Sequence, residues 1–150
     1  MPPDTTKILR EYRRLYTWSL RAVQYSQPAR YIVRDTLRHF FRKNAAASFD
    51  QEKVDNTVEF LRGAALERGL EHQIVKNLIH TWKKEFVFSR SKTVTQPNVL
   101  GEPTWHQVAK TAYEPFHHAI RMLNESMNMC LPDQPKLFDA TFQQEYRYIR

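Results

Sequence analysis

A chain of 150 residues is long enough for one domain whose core needs no disulfide or metal to staple it. The net charge of +7 is uneven: residues 1–50 hold ten Lys/Arg against four Asp/Glu, residues 51–150 thirteen against twelve, so the basic surface is N-terminal and suits an acidic protein, a nucleic acid or an anionic lipid. Cys130 is the sole cysteine, which excludes an intrachain disulfide and favours a reducing compartment, and no apolar run approaches the ~18 residues of a membrane span.

In chain order, Asp4, Thr5 and Thr6 offer N-caps for a first helix running to about Gln24, with Ile8, Leu9, Tyr12, Leu15, Tyr16, Ser19, Leu20 and Val23 on its inward side. Gln27-Pro28 interrupts it, and a second helix is expected from about Ala29 to Lys43, antiparallel to the first across so short a connection. Asp50 caps a third helix with Val54, Val58, Leu61 and Ala65 facing inward. Gly63 and Gly69 weaken that helix by about 1 kcal/mol each relative to alanine if both are internal, or one of them ends it.

Leu70, Ile74, Leu78, Trp82 and Phe86 predict a helix from about Leu70 to Phe86, separate or joined across a bend at Gly69. Ser89 to Pro103, with Pro97 and Gly101, reads as a loop. A further helix is expected from near Thr104 to Met129, kinked at Pro115, with Trp105, Val108, Ala112, Phe116, Ile120, Leu123 and Met127 apolar. Leu131 to Pro135 ends it, and a short helix fits Ala140 to Tyr148. With helical spacing nearly throughout and little alternation of period two, the fold class is all-α.

The most informative stretch is Leu15 to Asn44. Arg30, Arg34, Arg38 and Arg42 recur every four residues, one drifting stripe on a helix, while Val33, Leu37, Phe40 and Phe41 give the same helix an apolar face. Like charges at that spacing cost roughly 0.2–0.5 kcal/mol per pair, with only Asp35 nearby in sequence to relieve them. Such a stripe calls for an anionic partner. The first twenty-five residues are also arginine-rich, acid-poor and amphipathic, as a mitochondrial targeting segment is, although the same residues read equally well as a structural helix.

Leu15-Tyr16-Thr17-Trp18-Ser19-Leu20-Arg21 resembles a degenerate LYR motif, Leu-Tyr-Arg-x-Leu-Leu-Arg, with Thr17 where the motif has arginine. Leu37-Arg38-His39-Phe40-Phe41-Arg42-Lys43-Asn44 is similar to the same family's second-helix signature, and a second register, Tyr12-Arg13-Arg14-Leu15, keeps a Tyr-Arg pair. The resemblance covers about residues 8–70, and the remainder looks like fungal LYR proteins with a C-terminal extension. It implies an antiparallel three-helix LYR-type bundle over residues 1–88, with residues 89–150 a loop and C-terminal helical extension packed on the same domain.

The LYR resemblance further implies a mitochondrial matrix adaptor that binds acylated acyl carrier protein and docks it on a larger complex. The expected target is the mitochondrial large ribosomal subunit, its proteins and rRNA; respiratory-chain or iron-sulfur assembly is the alternative. Arg10, Arg14, Tyr16, Arg21, Arg34, Arg38, Arg42 and Lys43 would face the acidic carrier, where arginines give charge-assisted, often bidentate pairs to carboxylates and to a phosphodiester. Leu9, Leu20, Leu37, Phe41, Val58 and Leu61 would line a channel for the acyl chain of the partner's 4'-phosphopantetheine, each buried CH₂ contributing about 0.8 kcal/mol. The protein would carry no cofactor of its own.

From another class, the same arginines with Trp18, Tyr25 and Tyr31 describe a basic RNA-binding ribosomal protein that meets no carrier. Catalysis has little to build on. His117 and His118 point about 100° apart on a helix, His106 has no partner cluster, and no Gly-rich phosphate loop, carboxylate pair or nucleophile elbow is present. Cys130 beside a helix end reads as a buried thiol, and Asn124-Glu125-Ser126 matches a glycosylation sequon only inside a helix. A non-enzyme without a metal is the expectation.

Overall fold

The computed structural model describes residues 5–44, 49–90 and 111–133, with five helices and no strand among them. They are α1 (Thr5–Ala22), α2 (Ala29–Asn44), α3 (Gln51–Leu66), α4 (Leu70–Arg90) and α5 (Glu114–Met127). The protein is all-α. Most of the expected 89–103 loop, the start of the helix expected from Thr104, and the tail helix at 140–148 lie outside the described residues.

The helix ends have local causes. α1 stops at Ala22, two residues before the expected Gln24, because Gln24 and Tyr25 adopt left-handed backbone (φ 54° and 53°). Tyr25 N–H then donates to the Leu20 carbonyl at 3.0 Å and Gln24 N–H to the Arg21 carbonyl at 2.9 Å, the paired bonds of a Schellman motif made without glycine. Asp50 caps α3, its carboxylate accepting from Glu52 N–H at 3.0 Å. α3 closes at Leu66 and Gly69 lies in the bend before α4, so the two helices are separate. Pro115 does not kink a long helix. It sits in the first turn of α5, where its missing N–H leaves no intrahelical bond unmade.

Contacts fix the directions. Tyr12 of α1 meets Phe41 near the end of α2 (ring centroids 5.1 Å apart), so these helices are antiparallel. Arg14 reaches Asp55 near the start of α3, and the Lys7 ammonium lies 6.0 Å from the Phe49 ring centre, so α1 and α3 run parallel. α4 returns along α3 and also touches α2. His72 Nδ1 donates to the Ala64 carbonyl at 3.0 Å, closing the α3–α4 turn.

The core runs through all five helices. It joins Leu15 and Ala22, Val33 and Leu37, Val58 and Leu61, Leu78 and Trp82, with Ile120 of α5 and then Met129 and Leu131. The inward side of α1 is rotated from the expected one: Leu9 is 50% exposed, whereas Glu11 is fully buried against α3. A carboxylate occupies that position only because two arginines accompany it, as described next. On α4, Leu70 is exposed, and Val75, Ile79 and Glu85 join Leu78 and Trp82 inside. On α5, Ile120 is buried while Ala112 before it and Met127 at its end are exposed.

Candidate functional site

Where α1 crosses α2, Tyr12 and Tyr16 stack one helical turn apart (6.0 Å, planes 5° apart), and Phe41 meets the Tyr12 edge with Phe40 beside it. Against Phe40 and Phe41 lies an apolar cavity of about 40 Å³ whose walls also include Leu15, Ser19, Thr36, Leu37, Leu61, Trp82, Cys130 and Leu131. Of the expected channel residues, the structure therefore brings Leu37, Phe41 and Leu61 together. Leu20 is half-buried and off the cavity wall, Val58 belongs to the solid core, and Leu9 points largely to solvent. α4 and residues 130–132 share the wall with the first three helices, and α1 contributes Leu15 and Ser19 to it in place of the expected Leu9 and Leu20.

Two polar atoms in this wall stand out. Thr36 Oγ1 and Trp82 Nε1 are buried without a hydrogen-bond partner among the described residues. Ser19 is also buried, and Thr57 Oγ1 donates to the Lys53 carbonyl at 2.7 Å while accepting from Cys130 N–H at 3.0 Å. The Cys130 thiol lies 3.3 Å from the same hydroxyl, and burial pushes its pKa up, so it stays protonated and poorly nucleophilic.

The arginines divide into three groups. Arg10 and Arg14 converge on Glu11: Arg10 Nε donates to Oε1 at 3.2 Å and Arg14 Nη1 to Oε2 at 2.5 Å, while Arg14 also bonds Asp55 Oδ1 at 2.8 Å. The hydrogen bond from Arg14 holds the Asp55 carboxyl below its usual range, and Asp55 and Glu11 together push the guanidinium pKa upward. This cluster ties α1 to α3. A second group lies at the α1–α2 turn: the Arg21 guanidinium sits 4.7 Å from the Trp18 ring centre, and Arg30 and Arg34 lie 4.7 and 5.4 Å from that of Tyr31.

The third group is Arg38 and Arg42, both exposed, on the same stretch of α2 as the cavity residues Leu37 and Phe41. Asp35, buried between Arg34 (2.8 Å) and Arg38 (4.0 Å), offsets part of the stripe's repulsion. Lys43 is helical, but its side chain lies outside what is described. Thr17, at the motif arginine's place, donates to the Arg13 carbonyl at 2.8 Å and offers no charge. Arg13 itself is exposed on the turn between Tyr12 and Tyr16, with no ion pair to it among the described residues.

One constellation has no sequence signal. His117 Nδ1 donates to the Asp133 carbonyl, and its Nε2 is hydrogen-bonded to Glu85 Oε1 at 2.7 Å, both side chains being buried. Burial pushes the Glu85 carboxyl above the usual range, partly offset by the bond to His117. Arg121 reaches Asp133 at 3.6 Å, and Asn124 brackets Leu131, its amide donating to the carbonyl at 2.7 Å and its oxygen accepting from the N–H at 2.9 Å. These bonds press residues 129–133 onto the bundle. No group of three or more His, Cys, Asp or Glu suited to a metal occurs among the described residues.

Helices without strands among the described residues, with an apolar cavity and an arginine-bearing helix at its edge, define a small all-α protein. The chain is similar to a protein of Schizosaccharomyces pombe named as a UPF0593 mitochondrial protein, 47% identical over 51 residues, which is 34% of this chain and 41% of that one. The match thus spans well under half of either protein. No family model matches the chain, and no solved structure matches it.

Proposed function

We propose that the chain is a mitochondrial matrix adaptor that binds acylated acyl carrier protein and docks it on the large subunit of the mitochondrial ribosome, without catalysis of its own. The observation that carries this reading is the apolar cavity against Phe41, flanked on α2 by the exposed Arg38 and Arg42. An acidic carrier pairs with those guanidiniums while the acyl chain enters beside Phe41. Arg13, next to Tyr12 and Tyr16, supplies the cation that Thr17 does not. Arg10 and Arg14 serve the α1–α3 joint instead. The mitochondrial name of the similar yeast protein supports the compartment.

At about 40 Å³ the cavity holds roughly three water-sized spheres, so a fatty chain must displace a wall. Cys130, Leu131 and Pro132 form the wall that belongs to no helix, and they yield first. The ligand then stabilises the open bundle by mass action, so that acyl supply sets how much binding-competent protein exists.

The test is purification of the tagged protein from mitochondria with an intact-mass spectrum of what accompanies it. A small acidic protein bearing acylated phosphopantetheine, lost in an Arg38→Glu/Arg42→Glu variant that still folds, is the expected result. Ribosomal proteins in the same sample would name the target; respiratory-chain or iron-sulfur assembly proteins would replace it. Absence of any carrier protein from the wild-type sample overturns the reading.

A further inference from the structure

We infer that the α1–α2 turn is a binding surface for single-stranded RNA, separate from the carrier-binding stretch at Arg38 and Arg42. From Tyr12 through Arg34 the sequence contains no aspartate or glutamate, yet it carries five arginines and five aromatic residues. The Schellman turn at Gln24 and Tyr25 folds this acid-free stretch back on itself, so that the end of α1 and the start of α2 share one end of the bundle. Ser26 and Pro28 carbonyls accept from Arg30 and Tyr31 N–H at 2.9 and 3.0 Å, fixing the entry of α2 against the turn.

Two of these cations, Arg21 and Arg30, are held differently from Arg14 and Arg34, which pair with Glu11, Asp55 and Asp35. Arg10 and Arg14 lean on carboxylates, whereas Arg21 and Arg30 have no carboxylate partner among the described residues and lie instead over rings, each 4.7 Å from a ring centre. Arg30 Nη2 donates to the Tyr31 hydroxyl at 2.6 Å, and its Nε is buried without an acceptor among the described residues. Arg34, whose guanidinium is bonded to Asp35 at 2.8 Å, also lies 5.4 Å from the Tyr31 ring centre. Tyr25, 53% exposed, presents its ring to solvent at the tip of the turn.

A guanidinium over an aromatic ring offers its other side as a flat cationic surface, on which a nucleobase stacks while its phosphate meets the charge. Carboxylates of an acidic protein would use the charges but not the rings, and a lipid headgroup would leave both flat faces idle. Alternating bases and phosphates of an unpaired strand use both. RNA rather than duplex fits because bases are presented only when unstacked. The surface goes beyond the adaptor reading and does not depend on carrier binding, although it gives an adaptor a second contact on a ribonucleoprotein.

The experiment is fluorescence anisotropy of a labelled single-stranded oligoadenylate with the full chain, from about 50 to 200 mM salt. Three variants are compared with the wild type: Arg21→Gln/Arg30→Gln, Arg21→Gln alone, and Tyr25→Asn, which removes an exposed ring while tolerating left-handed backbone. Circular dichroism confirms folding of each. The double variant should lower the slope of log affinity against log salt by about 1.4, two single-strand phosphate contacts, and Tyr25→Asn should weaken binding at least about fivefold with the slope unchanged.

Several outcomes overturn the inference. One is no binding at the lowest salt; another is variants indistinguishable from wild type. A third is heparin, a polyanion without bases, binding as tightly as RNA with Tyr25→Asn neutral. Displacement of RNA by an acidic carrier protein, with carrier binding itself lost in Arg21→Gln/Arg30→Gln, would assign the turn to the carrier instead. Loss of carrier binding in Arg38→Glu/Arg42→Glu with RNA binding kept would separate the two surfaces as stated.

Discussion

Replacing Glu11 by alanine should destabilise the protein by about 2–3 kcal/mol, because it strands part of the joint between α1 and α3. Removing one partner from a fully buried ion pair costs about 3–5 kcal/mol. The value here is lower: Glu11 is wholly buried, but Arg14 is 42% exposed and keeps Asp55 at 2.8 Å, so it rehydrates in part. Arg10, 72% exposed, adds little through its 3.2 Å bond. For a chain of this size the shift in Tm is about 5–10 °C. Urea unfolding of Glu11→Ala, Arg14→Ala and the double variant should give a coupling near 1 kcal/mol. Glu11→Leu/Arg14→Leu should regain part of the loss, since an apolar side chain replaces the buried carboxylate while Asp55 gives up its bond to Arg14. A Glu11→Ala loss under about 0.5 kcal/mol, or no coupling to Arg14, would refute the view that this cluster joins the helices.

Thr36→Val should stabilise the chain by about 1 kcal/mol, since it exchanges a buried, unpaired hydroxyl for a methyl of similar shape; thermal unfolding measures it, and a loss would mean that the hydroxyl is bonded in solution. Asp50→Ala should cost about 1 kcal/mol by removing the α3 cap, read from urea midpoints at unchanged slope. Glu85 carries a raised folded-state pKa, so the folded protein holds its proton more tightly than the unfolded chain does. Its stabilising contribution is fully present below the ordinary glutamate range and is lost as pH rises through the raised value. Relative to Glu85→Gln, wild type should therefore lose stability from about pH 4 upward, and parallel stability curves for the two proteins would contradict this.

Local chemistry made much of the fold readable from the chain. Asp50 before an apolar helical pattern, and Pro28 ahead of α2, mark boundaries that the backbone obeys. The end of α1 was less legible, because its left-handed residues are glutamine and tyrosine rather than glycine. Glu11 had a signal in its neighbours Arg10 and Arg14, but periodicity counts a carboxylate as a surface residue, and only packing against α3 shows otherwise. The arginine stripe was visible as a spacing; its division among carboxylates, rings and solvent depends on side chains of three helices. The cavity wall was hidden for a different reason. Cys130 of the wall meets Thr57 across 73 residues of sequence, and no local pattern encodes a pairing at that range, nor that of Glu85 with His117 outside the wall.

Those long-range pairings also order events in time. A chain leaving the ribosome N-terminus first exposes α1 to α4 before residues 129–132 exist outside the tunnel. Until they arrive, Thr57 has no Cys130 to bond, Asn56 has no Asn128 carbonyl to receive its 3.1 Å hydrogen bond, and the apolar faces of Leu61 and Trp82 look onto water through the missing wall. Until then the lining supplied by α1 to α4 lacks the wall that Cys130, Leu131 and Pro132 complete. An apolar chain that reached the cavity before this wall closed would enter without displacing it, on more favourable terms than one arriving later.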